Sequence, residues 1–242
     1  MGKLLVKNKD LVVPGEVLVE GMDYVPGSGV FREGEMIVAN SVGLVSVDNR
    51  LVKLIPLTGF YAPKKNDTVI GKVANINFNG WMIDIGHSNF AMLSLKEATN
   101  EYIDKKADLS KYYDFGDVVV AKIISTTKDG TSDLTMKGPG LNKLVNGRVI
   151  EVASTKVPRI IGKQGSMITI IKTKTNCKVV VGQNGKVWIQ SENPEEERKA
   201  IDIIRFIEKE SVKEGLTEKV EKLLKWAILK EMTEESLMKP EK

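Results

Sequence analysis

The stretch Val157-Pro158-Arg159-Ile160-Ile161-Gly162-Lys163-Gln164-Gly165-Ser166-Met167-Ile168 sets two glycines three positions apart, with a lysine and a glutamine between them. Glycine at both ends lets the backbone bend sharply, and without a Cβ a phosphate or sugar can come close to the main chain. Lys163 adds a mobile ammonium, Gln164 a neutral donor, and Arg159 a planar fork suited to oxyanions. A helix opening near Ser166 would aim its free first-turn amides at the same place, which favours an anion there. Ile160, Ile161 and Ile168 supply an aliphatic floor on which flat, unpaired rings can lie. The chemistry in prospect is the holding of a flexible anionic strand. Two glycines at this spacing also describe an ordinary turn, so their surroundings decide.

Charge is the first of those surroundings. The chain of 242 residues carries a formal net charge of +4, unevenly spread. By segment the balance of Lys and Arg over Asp and Glu is −1 for residues 1–62, 0 for 63–137, +8 for 138–191 and −3 for 192–242. The glycine loop therefore sits inside the single strongly basic segment, as a phosphate-backbone partner requires; a solvated basic surface is the bland alternative.

Catalytic constellations are missing by contrast. No HxH, no DxD-type carboxylate cluster and no Ser/His/Asp arrangement is present to position a metal or a nucleophile. His87, the one histidine, has no acid or nucleophile beside it and reads as an inert loop residue. Cys177, the one cysteine, reads as a small buried apolar residue. Neither a metal nor an organic cofactor is expected, nor an enzyme. No apolar run approaches the roughly 20 residues that span a bilayer, and the N-terminus lacks a secretory signature, so the expectation is a cytoplasmic protein without a membrane partner.

The elements that must position the loop follow from pattern. Residues 1–62 read as short strands with turn chemistry at Pro14-Gly15 and Pro26-Gly27-Ser28-Gly29, and a hairpin across Asp48-Asn49-Arg50. Residues 61–67 are polar, proline-bearing and charged, and serve as a boundary. From Thr68, alternating apolar positions at 69–73, 81–86 and 118–124, with glycines at bends, suit a five-stranded barrel, with 97–113 as an inserted helix or long loop. Lys137-Gly138-Pro139-Gly140 ends it.

From Asn146 the order becomes β-α-α-β-β-α. Strands are predicted at 149–152, 178–181 and 186–190, the last two joined by a turn in which Asn184-Gly185 supplies positive φ. Short helices are predicted at 157–161 and 166–174. A longer one, capped by Asn193 ahead of Pro194, places Ile201, Ile204 and Ile207 on one face. Beyond it Val220, Leu223, Leu224, Ala227 and Ile228 have helical spacing, predicting a C-terminal helix that docks on this chain.

The glycine loop, its basic flank, the isoleucines and this element order together resemble the KH family over residues 146–208. The resemblance implies a type I KH fold that clamps about four nucleotides, with Gly162, Lys163, Gln164, Gly165, Arg159, Ile161 and Ile168 as its RNA contacts. Residues 66–137 resemble the S1-type OB barrel through Gly71-Lys72-Val73, Gly80-Trp81-Met82-Ile83-Asp84-Ile85-Gly86, Ala91-Met92-Leu93-Ser94 and Asp117-Val118-Val119-Val120-Ala121-Lys122-Ile123. Two aromatics and a histidine usually contact RNA in that family; here Asn79 and Met82 stand for the aromatics and Ser94 for the histidine. The remaining candidates are Lys72 and Lys122 for the backbone, and Trp81, with Phe78 beside it, for stacking. On a barrel strand Trp81 could equally be core.

The three modules in this order, 1–62, 63–137 and 138–211 with a tail at 212–242, resemble the RNA-binding cap subunits of the archaeal exosome. Polynucleotide phosphorylase carries the two RNA modules in the opposite order, behind catalytic domains that are absent here. The resemblance implies a non-catalytic subunit whose N-terminal module seats it on a ring of phosphorolytic 3′–5′ exoribonuclease subunits. It further implies three caps per ring, recruiting and threading single-stranded RNA. The alternative is a free-standing translational or ribosome-associated RNA-binding protein.

Overall fold

The structure is a computed structural model and describes residues 2–104, 107–127, 129–211 and 218–220. The chain forms two compact units, the first Met1–Phe60 and the second beginning at Tyr61.

In the first unit eight short strands arise where β-branched residues alternate between turns: β1 (Lys3–Leu4), β2 (Leu11–Val12), β3 (Val17–Glu20), β4 (Val25–Pro26), β5 (Val30–Glu33), β6 (Met36–Ala39), β7 (Gly43–Asp48) and β8 (Leu51–Pro56). They form two four-stranded sheets, β1-β3-β6-β5 and β2-β7-β8-β4. Leu18, Val19, Ile37, Val45 and Val52 are fully buried in one core. The expected hairpin is β7–β8, and Asn49 at its tip takes φ +52°.

The second unit opens with a barrel of β9 (Thr68–Asn77), β10 (Gly80–Asp84), β11 (Ala91–Ser94), β12 (Val118–Thr126) and β13 (Ser132–Thr135). β9 pairs with β10 and β12, β10 with β11, and β13 pairs with both β11 and β12, which closes the ring. Alternation sends Val69, Val73, Ile83, Leu93, Val119 and Ile123 inward. A Cβ on Gly71 would meet the Ile83 side chain at 2.2 Å, so the barrel closes there only around a glycine. The insertion contains one helical turn, α1 (Leu95–Ala98), and a 3-10 turn at Leu109–Lys111. After the barrel, β14 (Lys143–Leu144) adds to β12. Tyr61 belongs with the barrel: it packs on this core and its hydroxyl donates to Asp67 at 2.7 Å. Burial and the adjacent carboxylate push its phenol far above the usual range.

The remainder runs β15 (Arg148–Glu151), α2 (Val157–Ile161), α3 (Ser166–Thr175), β16 (Lys178–Val181), β17 (Lys186–Gln190) and α4 (Pro194–Glu210), the expected order. The sheet order is β15-β17-β16. Asn193 caps α4, accepting from the Glu195 amide at 2.9 Å. The buried stripe of α4 is Ala200, Ile203, Ile204 and Ile207, and Ile201, half-buried, packs against the same core at its edge, so the three isoleucines share a face as predicted. Val220 is buried in the same core; the rest of the predicted terminal stripe, from Leu223 to Ile228, lies outside the described residues.

One face of this sheet packs on the helices and the other on the barrel, where Trp188, Val149 and Val180 meet Ile70, Val120 and Leu144. The turn between β16 and β17 forms where the sequence reading placed it, and within the Asn-Gly pair the two residues divide the work. Its closing bond runs from the Gly185 amide to the Gly182 carbonyl, 3.1 Å, and the positive φ belongs to Gly185, not to Asn184. Asn184 is used sideways. Its Oδ1 accepts from the Ile70 amide at 3.2 Å, while Nδ2 donates to the carbonyls of Ile70 and Ile85, both 2.7 Å. The last β9–β10 pair is Lys72 with Asp84, so the asparagine amide takes over where β10 has left β9 unaccompanied. The Gln183 amide adds a bond to the Thr68 carbonyl, 2.8 Å, and the Lys186 ammonium reaches the Asp84 carbonyl, 3.3 Å.

Candidate nucleic-acid interface

The glycine loop is open. α2 stops at Gly162, whose φ of +77° and ψ of 173° turn the chain outward, and the Gly162 amide closes the helix on the Pro158 carbonyl at 2.9 Å. A Cβ on Gly162 would meet the Met167 backbone nitrogen and Cβ at 2.7 Å, so this position is closed to any other residue twice over. Gln164 is held at φ +53° and Gly165 at +77°, and α3 then begins at Ser166 with no side chain capping its first amides. A left-handed glutamine costs on the order of 1 kcal/mol. Loop geometry therefore takes precedence over local preference here, and it leaves Lys163 and Gln164 exposed.

Arg159 is exposed on the last turn of α2, and neither it nor Lys163 has an ion-pair partner among the described residues. Ile161 and Ile168 are half-buried beside the loop, packed against the core yet reachable. Ile160 differs from its prediction: it is fully buried and serves the core, not the floor. Seven predicted contacts, Arg159, Ile161, Gly162, Lys163, Gln164, Gly165 and Ile168, thus fall within one helix-loop-helix. Unpaired cations, bare main chain and half-covered aliphatics are together suited to an unstacked anionic strand.

The barrel candidates do not gather in this way. Trp81 is a correction: it is 0 % exposed, its Nε1 donates to the Tyr113 carbonyl at 2.8 Å, and the Tyr113 ring stands edge-on at 5.2 Å. No face of the indole is free for a base, because the inward alternation of β10 claims it for the core. Phe78 is the exposed neighbour, 82 % open at the β9–β10 turn. Asn79 beside it is exposed, and Met82 and Ser94 are half-buried. Lys72 and Lys122 are both exposed, opposite Val118 and Thr68 at the two ends of the β9–β12 ladder, and the covered Ile70–Val120 pair lies between them. Four residues of strand separate them, about 13 Å.

Supporting charges are local. Arg148 pairs with Glu197 at 3.0 Å, and Lys143 pairs with Asp117. Burial pushes the Asp117 carboxyl up, but bonds from Lys143 and the Asp114 backbone outweigh it and hold the group below its ordinary range. His87 is half-buried in a loop, accepting from the Asn89 amide at 3.4 Å, and Cys177 is buried with its thiol toward the Thr175 carbonyl. Among the described residues no three His, Cys, Asp or Glu side chains converge as metal ligands, and no described helix is long and apolar enough to cross a membrane. Sequence reading missed Asn184 as a contact residue, because Asn-Gly between two strands carries the signal of a turn and none of its side-chain partners.

A closed five-stranded barrel locked to a β-α-α-β-β-α unit with an open glycine loop defines the class of proteins that join an OB-type barrel to a KH domain. A KH domain family model matches residues 147–195. Exosome complex component Rrp4 of Pyrococcus furiosus is 42% identical over 227 residues, covering 93% of this chain and 86% of that protein. The component of the same name from Thermococcus kodakarensis is 40% identical over 241 residues, 98% of this chain and 93% of that one. A solved exosome complex RNA-binding protein is 30% identical, with a TM-score of 0.62, over 69% of this chain and 96% of its own. The chain belongs to the Rrp4 family of exosome complex components.

Proposed function

We propose that this chain is a non-catalytic RNA-binding component of an exosome, holding single-stranded RNA through the glycine loop at 162–165 and passing it to a ring of phosphorolytic subunits. The observation that carries the reading is the loop itself: left-handed, glycine-flanked and solvent-open in the one basic stretch of the chain. Arg159, Lys163 and Gln164 take the phosphates, and Ile161 and Ile168 underlie the bases. Lys72 and Lys122 add cations on the barrel. The first unit, with no net positive charge, is the part that seats the chain on the ring, as one of three caps in the cytoplasm.

The loop variant Lys163→Asp with Gln164→Asp tests the RNA half. Both side chains are exposed, so the fold is retained, while two phosphate-facing donors become like charges. We expect affinity for a fluorescent single-stranded RNA to fall at least roughly tenfold in an anisotropy titration, on the order of 1.4 kcal/mol or more. Affinity equal to the parent's would remove the loop from the site.

A further inference from the structure

The turn before β12 presents a phenylalanine to solvent for which the core has no use. Phe115 is 62 % exposed, yet its backbone is tied down on every side. The Asp114 amide donates to the Asp117 carboxylate and the Phe115 amide to the Asp114 carboxylate, both 2.7 Å. The Gly116 amide donates to the Val73 carbonyl at 2.9 Å, and the Val73 amide to the Asp117 carbonyl at 2.8 Å. An exposed aromatic on a rigid turn loses little freedom when a flat ring settles on it.

Phe115 also walls an open cavity of about 460 Å³, lined besides by Lys72, Val73, Ala74, Asp84 and Gly116. That volume falls within the range of small-molecule clefts, roughly 300–1,000 Å³. Lys72 passes close to Gly116, its Cε 3.5 Å from where a Cβ there would stand, so its ammonium shares the cavity with the ring. It has no ion-pair partner among the described residues, whereas nearby Lys143 and Lys186 are both engaged. Asp84 faces Lys72 across the strands and spends one carboxylate oxygen on the Gly86 amide.

We propose that this cavity is a nucleotide subsite for single-stranded RNA, in which a base stacks on Phe115 and its phosphate meets Lys72. The Asp84 carboxylate accepts from a ribose hydroxyl or an exocyclic amine. The proposal rests on the RNA-binding reading above and turns its barrel cation Lys72 into a defined nucleotide site with a stacking ring. It also restores a stacking ring to a barrel whose Trp81 is buried. One ring and one lysine suffice for a nucleotide, since stacking contributes on the order of 1–3 kcal/mol per base. They fall far short of the roughly 1,200–2,000 Å² of a stable protein interface. Lys72 lies two residues beyond Ile70 on the same face of β9, so the subsite adjoins the seam with the KH sheet.

The test uses the full chain and a single-stranded RNA of about fifteen nucleotides, in anisotropy titrations and, with 5-iodouridine incorporated, in photocross-linking read by mass spectrometry. Phe115→Ala and Lys72→Ala should each weaken binding roughly five- to thirtyfold. Phe115→Tyr should stay within about twofold of the parent, and Phe115→Leu should behave like alanine, which separates stacking from mere apolarity. A cross-link should map to residues 114–117. If the parent binds, the Lys163 and Gln164 variant is impaired, and Phe115→Ala and Lys72→Ala match the parent without a cross-link, the subsite is wrong and the wider reading stands. A parent that binds no RNA overturns both. Loss of a protein assembly in Phe115→Ala with unchanged RNA affinity reassigns the ring to a protein contact and overturns the proposal.

Discussion

At the scale of single residues, exposure separates side chains that composition treats alike. Trp81 and Phe78 are three positions apart, yet one is sealed beneath Tyr113 and the other stands open. The indole is one of the largest buried side chains in the barrel and makes its own hydrogen bond, so Trp81→Ala should destabilise the chain by about 3–5 kcal/mol in a urea titration. The fraction still folded should bind RNA with the parent's affinity; a selective loss of RNA binding would mean that the indole does reach the strand. Ile160 and Ile161 divide in the same way. The helical turn of α2 gives the first to the core and leaves the second beside the loop.

At the scale of elements, the turn between β16 and β17 does more than reverse the chain. The Asn184 amide serves two carbonyls and one amide of the barrel, and β10 offers no replacement there. Removing it strands buried main-chain groups, which cost far more unpaired than a bond contributes. Asn184→Ala should therefore destabilise the second unit by about 2–4 kcal/mol. The Ile70 amide should lose protection in hydrogen exchange, while amides within the β16–β17 ladder keep theirs. Unchanged protection at Ile70 would show that the apolar contact of Trp188 with Ile70 and Val120 holds the seam alone. The glycine loop is an element of the opposite kind, held between two short helices that are anchored in the core through Val157, Ile160, Met167 and Ile171.

At the scale of the whole molecule, charge and division into units point to separate partners. The positive excess is confined to 138–191, and the eight-stranded first unit carries −1 over 1–62. A chain built in this way should join the ring subunits through a surface other than its RNA-holding one. Mixed with phosphorolytic ring subunits of its own cell, it should elute with them from a sizing column as one complex. The Lys163 and Gln164 variant should co-elute equally well. Separate elution of the parent would count against the exosome assignment, and separate elution of the variant alone would put the glycine loop at the protein interface.

Much of this was determined by the sequence. Strand alternation, turn residues and the Asn193-Pro194 cap are local signals with a period, and they were sufficient for the barrel, the β-α-α-β-β-α order and the position of the glycine loop. The loop was legible because positive φ and the need for bare main chain select glycine directly. Burial was legible only in part, since alternation says which residues share a face and not which face the core takes. Trp81 and Ile160 were placed only when the barrel closed and the helices packed. Contacts between residues distant in sequence carry no local signature at all. Asn184 read as turn chemistry until Ile70, 114 positions earlier, lay against it, and Phe115 became a platform only when Lys72 and Asp84 came beside it. The tertiary structure decided these because they depend on which surfaces meet, and that is a property of the packed chain and not of any stretch within it.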